Sequence, residues 1–327
     1  MNADLDIIVL HYRESEEICK PLFDSLAMQL CVDLDRVQIY LIEDGGIPVS
    51  QEFIGRYPTL NIRQVIRPHN GGISEARNTG IDEATADYIM FCDCDDMFYS
   101  AFGLYTIFRE MEEQSFDALV FNFVEEGRDK QGNPVLIMHP NDRCFMHGKV
   151  YSRRYIVNNG YRFVPGINCH EDGCFNAVYL NCAPSVIFKD KPFYLWKWRD
   201  GSTVRKDSFV LRSHDVLAKA RYVICKDLIE RGNKLQACYY AAMFLFDGYY
   251  MYSIPEYNSE ENKSYLEKAM RVMWEFYRDH KHLIDLVSPT DLSQISCAAR
   301  KNAVNYGLAM EYITFPDWIA LLKRAFT

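Results

Sequence analysis

Between residues 5 and 124 the chain repeats one pattern: a short apolar run, a polar cluster, then a stretch of helical period. Leu5–Leu10, Val37–Ile42, Asn61–Ile66, Tyr88–Cys92 and Ala118–Val124 are runs of strand length, rich in Ile, Val and aromatic residues. Between them Ile18, Leu22, Leu26 and Leu30 recur at helical spacing behind Ser15, and Ser74–Ala84 and Leu104–Glu113 read as further helices. Strands alternating with helices of about ten residues predict an α/β fold, a doubly wound and mostly parallel sheet. No period of 20–50 residues is present, so repeat architectures are excluded.

The regularity weakens after residue 125. Gly127–Pro134 is a turn-rich loop suited to joining antiparallel strands. Val150–Asn158 and Asp172–Asn181 read as helices, Val186–Lys189 and Phe193–Trp198 as strands. From about Asp207 helical patterns dominate, over roughly 207–230, 233–252, 259–281, 290–309 and 315–326, with breakers at Gly232, Pro255, Pro289 and Pro316. This predicts two domains, 1–204 and an all-α 205–327, which suits a chain of 327 residues. The most apolar window, Leu235–Ile254, contains Gln236, Asp247, Gly248 and five tyrosines, a poor membrane span. It reads instead as a buried bundle helix or the face of a homo-oligomer.

Charge and cysteine usage exclude several function classes. The net charge is −9, which argues against a nucleic-acid partner. Residues 205–327 hold 17 Lys+Arg against 15 Asp+Glu, which leaves 19 against 30 in residues 1–204, so the acidity sits in the first part. The eleven cysteines include no C-x-x-C pair, and the close pairs Cys92/Cys94 and Cys169/Cys174 lack zinc spacing. They read as reduced core residues of a cytoplasmic protein. The opening MNADLDIIVLHYRE has no basic n-region and too short an apolar run for a signal peptide.

In a parallel α/β sheet ligands bind at the carboxyl ends of the strands. Those ends supply His11-Tyr12-Arg13, then Glu43-Asp44-Gly45-Gly46, then Arg67 to Gly72, then Asp93-Cys94-Asp95-Asp96. An aromatic, a basic cluster with glycines and converging acids suit a nucleotide and a cation. In extended backbone Asp93 and Asp95 face one side and Asp96 the other. Two carboxylates on one side repel unless a cation joins them, and oxygen donors suit Mg2+ or Mn2+. A lone D-x-D is also common in acidic turns; its place at a strand end favours the site.

The segment Asn70–Asp96, NGGISEARNTGIDEATADYIMFCDCDD, resembles the central signature of family 2 glycosyltransferases: N-x-G-x-[SA]-x-A-R-N-x-G, a helix, an apolar strand and D-x-D-D. DIIVLHYRESEEICKPLFDSLAMQ is similar to the family's first strand, loop and helix, with His11 a departure. IYLIEDGG is similar to its acidic turn, with Glu43 replacing the first aspartate, and Glu171-Asp172 followed by Phe175 resembles its E-D-x-x-[FL] motif. The resemblance spans about residues 4–204.

It implies a GT-A fold and an inverting, metal-dependent hexosyl transfer from a UDP-sugar to a hydroxyl of a glycan, teichoic-acid, lipid or protein acceptor. Carried over residue by residue, Asp44 would accept from the uracil and Tyr12 would stack near the base. Arg77 would reach the uracil or diphosphate, with Asn70 and Cys94 also among the nucleotide-sugar contacts. Asp93 would touch the ribose and Asp95 would ligate the metal. Asp172 would be the general base, with Glu171 orienting it or the acceptor. In WKWRDGSTVRK, Arg199 and Ser202 resemble a stretch that closes over the diphosphate.

Other readings of these residues stand beside it. Arg77 is otherwise a solvated helix arginine, Gly71-Gly72 a plain turn, and an acid at 171 or 172 a helix cap. His11 and His147 read equally as satisfied histidines or ligand contacts. A sugar-nucleotide nucleotidyltransferase would need a glycine-rich loop after the first strand, which His11-Tyr12-Arg13-Glu14 lacks. A non-catalytic nucleotide-sugar-binding module, or an interaction protein acting through its helical end, are the remaining alternatives.

Overall fold

The computed structural model describes residues 3–129, 131–200, 202, 212–252, 260–305 and 312–326. Contacts divide the chain into two units, Met1–Asp200 and Gly201–Thr327. Pro255, named above as a breaker, and the predicted boundary between residues 204 and 205 lie outside the described residues.

The first unit is built on a nine-stranded sheet. In chain order its elements are β1 Leu5–His11, α1 Glu16–Ala27, β2 Val37–Glu43, α2 Gln51–Ile54, β3 Asn61–Ile66, α3 Ile73–Glu83, β4 Tyr88–Asp93, β5 Met97–Phe98, α4 Gly103–Glu113, β6 Ala118–Arg128, β7 Pro134–His139, β8 Lys149–Ser152, α5 Arg153–Asn158, α6 Glu171–Cys182 and β9 Val186–Trp196. The strand order is β3-β2-β1-β4-β8-β6-β9-β5, with β7 on β6. β3, β2, β1 and β4 are all parallel. Beyond β4 the pairings are antiparallel except β6 with β9.

Every residue of β1 is buried, as expected of a central parallel strand covered on both faces. Leu5, Ile7 and Val9 pack with Cys19, Leu22, Phe23 and Leu26 of α1 and with Leu104, Ile107 and Phe108 of α4. α3 covers the opposite face, so closely that a Cβ on Gly80 would lie 2.3 Å from Ile8. Asp6, buried at the start of β1, accepts from the Thr85 and Ala86 N–H groups at 2.6 and 2.8 Å, which fixes the loop entering β4.

Three local readings change. Val150–Asn158 splits into β8 and α5, because β8 is taken up between β4 and β6 and pairing overrides helical propensity. α3 begins at Ile73 behind Gly72, and the Ser74 hydroxyl donates to the Ile167 carbonyl instead of capping. The two strand segments between Val186 and Trp198 are one strand, β9, that bends at a bulge opposite Phe121–Phe123.

The second unit contains α7 His214–Glu230, α8 Lys234–Tyr252, α9 Lys263–Ile284, α10 Pro289–Asn305 and α11 Phe315–Phe326. α8 is its centre. Phe244, Phe246 and Tyr250 are fully buried, the Tyr250 hydroxyl meets Ser296 at 3.1 Å, and the Trp318 indole donates to the Leu245 carbonyl at 2.9 Å. Of the two alternatives for this apolar stretch, a bundle helix is formed, with Leu235 and Tyr239 left 78% and 39% exposed. No helix among the described residues is long and apolar enough to cross a membrane.

Candidate functional site

Parallel register brings the ends of four strands to one edge: His11 lies opposite Glu43, Leu10 opposite Asp93, and Glu43 opposite Ile66. The residues just beyond them form the site.

Glu43 turns inward. It pairs with His11 Nδ1 and accepts from the Val49 N–H at 2.9 Å and the Gln64 amide at 2.7 Å. His11 Nε2 lies 2.8 Å from the Glu14 carbonyl. Burial opposes a charge on His11, but Cys19 and Glu43 raise its imidazole to about 10. His11 is thus a satisfied core histidine and holds its proton at neutral pH.

Asp44 is buried beside it. Its carboxylate pairs with Arg67 and accepts from the Gly71 and Gly72 N–H groups at 3.1 and 3.0 Å, while Arg67 also reaches Glu75 at 2.7 Å. The chain permits this through glycine. Gly72 has φ +86, and a Cβ there would meet Asn168 at 2.3 Å; a Cβ on Gly46 would lie 1.4 Å from the Tyr12 carbonyl oxygen. Tyr12 is half-buried with the Arg13 guanidinium over its ring at 4.6 Å, and Asn70 is exposed.

β4 ends at Asp93, and the acids beyond it lie in a turn closed by the Asp96 N–H on the Asp93 carbonyl at 3.2 Å, so the alternation expected of extended backbone does not hold and Asp96 comes to the same side as Asp93. The side chains of Asp93 and Asp95 are 32% and 22% exposed, and Asp96 is buried. Cys94 points the other way: its thiol is sealed in the core beside Cys19, so a side-chain contact with a ligand is excluded and only its backbone is available. Asp96 accepts from the Tyr194 hydroxyl at 2.6 Å and the Lys197 N–H at 3.0 Å. Arg199 crosses the edge, its Nε 2.9 Å from Asp95 and its Nη1 2.8 Å from Glu14. Burial pushes Asp95 up and Arg199 opposes it. Against burial, Arg199 and backbone N–H groups pull Glu14 down to about 2.

One oxygen each from Asp93 and Asp96 and a nitrogen of His147 lie within 4.8 Å of one another. Burial pushes Asp93 up to about 7, a push that its partial exposure screens, and pushes Asp96 up as well. His147 packs among Phe123, Phe145, Tyr194 and Trp196, and burial lowers it to about 3, so it is neutral with a lone pair to offer. Carboxylates held close with a neutral imidazole fit a hard divalent cation, Mg2+ or Mn2+.

Across the site, α6 starts behind His170, whose left-handed φ of 65° is uncommon for a non-glycine residue and marks functional loops. Glu171 and Asp172 occupy the first turn. Arg77 Nη1 reaches Glu171 at 2.8 Å and pairs with Asp172, and Nη2 lies 3.7 Å from Asp93. The other Asp172 oxygen accepts from the Met146 N–H at 3.1 Å. Burial, then Asp172, pushes Glu171 up to about 8. Arg77 itself is 1% exposed, with the ring of Phe163 5.2 Å from its guanidinium. Ser202 is half-buried and belongs to the second unit.

The structure therefore gathers Tyr12, Asp44, Arg77, Asp93, Asp95, Glu171, Asp172 and Arg199 at one edge. Arg67, from the basic cluster after the third strand, joins them through Asp44 and Glu75, and Glu14, Tyr194 and the Met146 N–H join them without a signal in the sequence, since each is recruited by pairing across long separations. His147 was visible as a ligand-contact candidate or a loop histidine, and the structure sets it beside Asp93 and Asp96.

Over 213 residues the chain is 29% identical to the uncharacterized glycosyltransferase EpsJ of Bacillus subtilis, covering 59% of this chain and 60% of that one. It is 28% identical over 225 residues to the uncharacterized glycosyltransferase YibD of Escherichia coli, 62% and 63% of the two chains. The alignments thus span about 60% of the length of these relatives. The fold is shared with S. aureus TarS 1-349, solved in complex with UDP-GlcNAc, at TM-score 0.66 and 17% identity over 95% of this chain and 93% of that one. Residues 6–178, just over half of the sequence, match the family described as "Glycosyl transferase family 2", and the chain belongs to that family.

Proposed function

We propose that the chain is an inverting, metal-dependent glycosyltransferase that moves a hexosyl group from a UDP-sugar to a hydroxyl of a glycan, teichoic-acid, lipid or protein acceptor. One observation carries this reading: Asp93 at the end of β4 and the Glu171–Asp172 pair approach a single guanidinium, that of Arg77, through its two terminal nitrogens. A donor bound at the end of β4 would place its anomeric carbon before that pair.

In this reading Asp44 accepts from the uracil with the lone pair its three partners leave open. Tyr12 stacks on the base, and Asn70 and Asp93 contact the nucleoside. Asp95, or the grouping of Asp93, Asp96 and His147, would hold Mn2+ or Mg2+, which supplies charge neutralisation to the diphosphate when bound. Arg199 closes over that diphosphate, where a guanidinium offsets developing negative charge. Asp172, held by Arg77 and the Met146 N–H, takes the proton of the acceptor hydroxyl, and Glu171 orients the base or the acceptor. The UDP-GlcNAc bound by the similarly folded TarS supports a uridine nucleotide. Eleven free cysteines suit a cytoplasmic setting, and the helical unit is assigned to acceptor docking or assembly.

UDP release from a panel of nucleotide sugars, with manganese or with EDTA, tests the reading. Release that depends on one sugar, an acceptor and the cation is expected. Pyrophosphate release from a nucleoside triphosphate and a sugar 1-phosphate would move the chain to nucleotidyl transfer.

A further inference from the structure

The guanidinium of Arg77 is among the largest fully buried side chains of the described residues, and three carboxylates surround it. Two of them, Glu171 and Asp172, share Nη1, while Asp93 faces Nη2 from the end of β4. Nε has no hydrogen-bond partner, and Phe163 closes one side. A side chain 1% exposed presents nothing to a ligand in the crevice above it. Its helix, α3, lies directly on the sheet: a Cβ on Gly80, one turn further along, would be 2.3 Å from Ile8 of the central strand.

We propose that Arg77 is a positioning residue: a buried cation that sets the separation and orientation of Asp172 relative to Asp93, and does not itself contact the nucleotide. The inference rests on the glycosyl-transfer reading above. A planar fork that serves two carboxylates through one nitrogen and a third through the other fixes angles as well as charge, which an ammonium cannot reproduce. Displacing a base by about 1 Å costs on the order of 10²-fold in rate.

Arg77→Gln is measured for UDP affinity by calorimetry, for kcat at saturating donor, and for melting temperature. UDP affinity within about 3-fold of the parent, the ordinary scatter of independent changes, and a kcat lower by ~10²-fold are expected. The same substitution made in an Asp172→Asn background is expected to cost less than about 5-fold, since the group it positions is already disabled. A loss of UDP affinity above about 10-fold with kcat retained would make Arg77 a nucleotide contact and overturn the proposal; losses that multiply in the double variant would overturn it too. If Arg77→Gln does not fold, Arg77→Lys, which keeps one cation, carries the same readouts. The underlying reading is tested separately. An Asp172→Asn protein that transfers sugar at the parental rate refutes the base, whereas a dead Asp172→Asn beside a fully active Arg77→Gln refutes only the role of Arg77.

Discussion

Arg199 is paired with Asp95, the acid that the family resemblance assigns to the metal, at 2.9 Å, and Glu14 holds the same guanidinium from the far side at 2.8 Å. A guanidinium and a metal cation compete for the same carboxylate. Metal binding without nucleotide must displace Arg199, whereas a bound diphosphate would draw Arg199 onto itself and free Asp95. The pair is about one-third exposed, so its worth is under ~1 kcal/mol. Arg199→Gln should therefore bind manganese up to about 5-fold more tightly than the parent in the absence of nucleotide, while losing turnover. Calorimetric titration with MnCl2 reads this directly. Equal or weaker manganese binding by the variant would remove the competition.

The structure offers two donor sets for the cation, and substitution separates them. Asp95→Ala should lower turnover by orders of magnitude, since the cation contributes several kcal/mol of charge stabilisation to the leaving group. If Asp93, Asp96 and His147 hold the ion instead, His147→Ala weakens manganese binding by about 10-fold or more and Asp95→Ala leaves it intact. Affinity for manganese in the two variants decides between the sets, and parental turnover in EDTA would dismiss both.

Glu171 and Asp172 are adjacent yet held differently. Asp172 receives both Arg77 and the Met146 N–H, while burial and its neighbour push Glu171 toward its protonated form against the pull of Arg77. A protonated acid cannot accept the acceptor's proton. Asp172→Asn should bind UDP and manganese normally and transfer sugar ~10²–10⁴-fold more slowly. Near-parental transfer by Asp172→Asn together with a dead Glu171→Gln would reverse the two roles.

The parallel half of the sheet was legible because β1, β2 and β4 are near-continuous apolar runs with a polar cluster at the end, a pattern that burial on both faces imposes, while the edge strand β3, NIRQVI, is exposed or half-buried along its length. The same rule located Asp44 and Asp93, whereas Asp172, in the first turn of α6, was found only through the resemblance of Glu171-Asp172 and Phe175 to the family's motif. The rule failed where position depends on distant partners. Nothing in the local sequence of Val150 shows that it pairs with Met90 and Leu119, so its helical period misled. The Cys94 side chain follows its neighbours in sequence but not in direction, since the turn after β4 sends it into the core beside Cys19. Arg77 looked like a solvated or ligand-binding arginine, because the two acids that bury it lie 94 and 95 residues further on.

The helical unit carries its own pH signature. Asp247 lies on the central helix α8, where burial pushes its carboxyl up to about 6 and Arg221 only partly offsets this. The sign follows from linkage. The native state holds this proton more tightly than the unfolded chain, whose carboxyl has the ordinary value near 4. Stability from this group is therefore complete below about pH 4, falls as pH rises through about 6, and is level above. The charged form costs on the order of 1–3 kcal/mol at pH 8, the lower part of that range applying where water still reaches a half-buried side chain. Asp247→Asn keeps the shape and removes the charge. Its urea midpoint should exceed that of the parent at pH 8, and the two should converge toward pH 4. A variant less stable than the parent at pH 8 would mean that Arg221 repays the burial of Asp247 in full, and the carboxylate would then be a stabilising ion-pair partner.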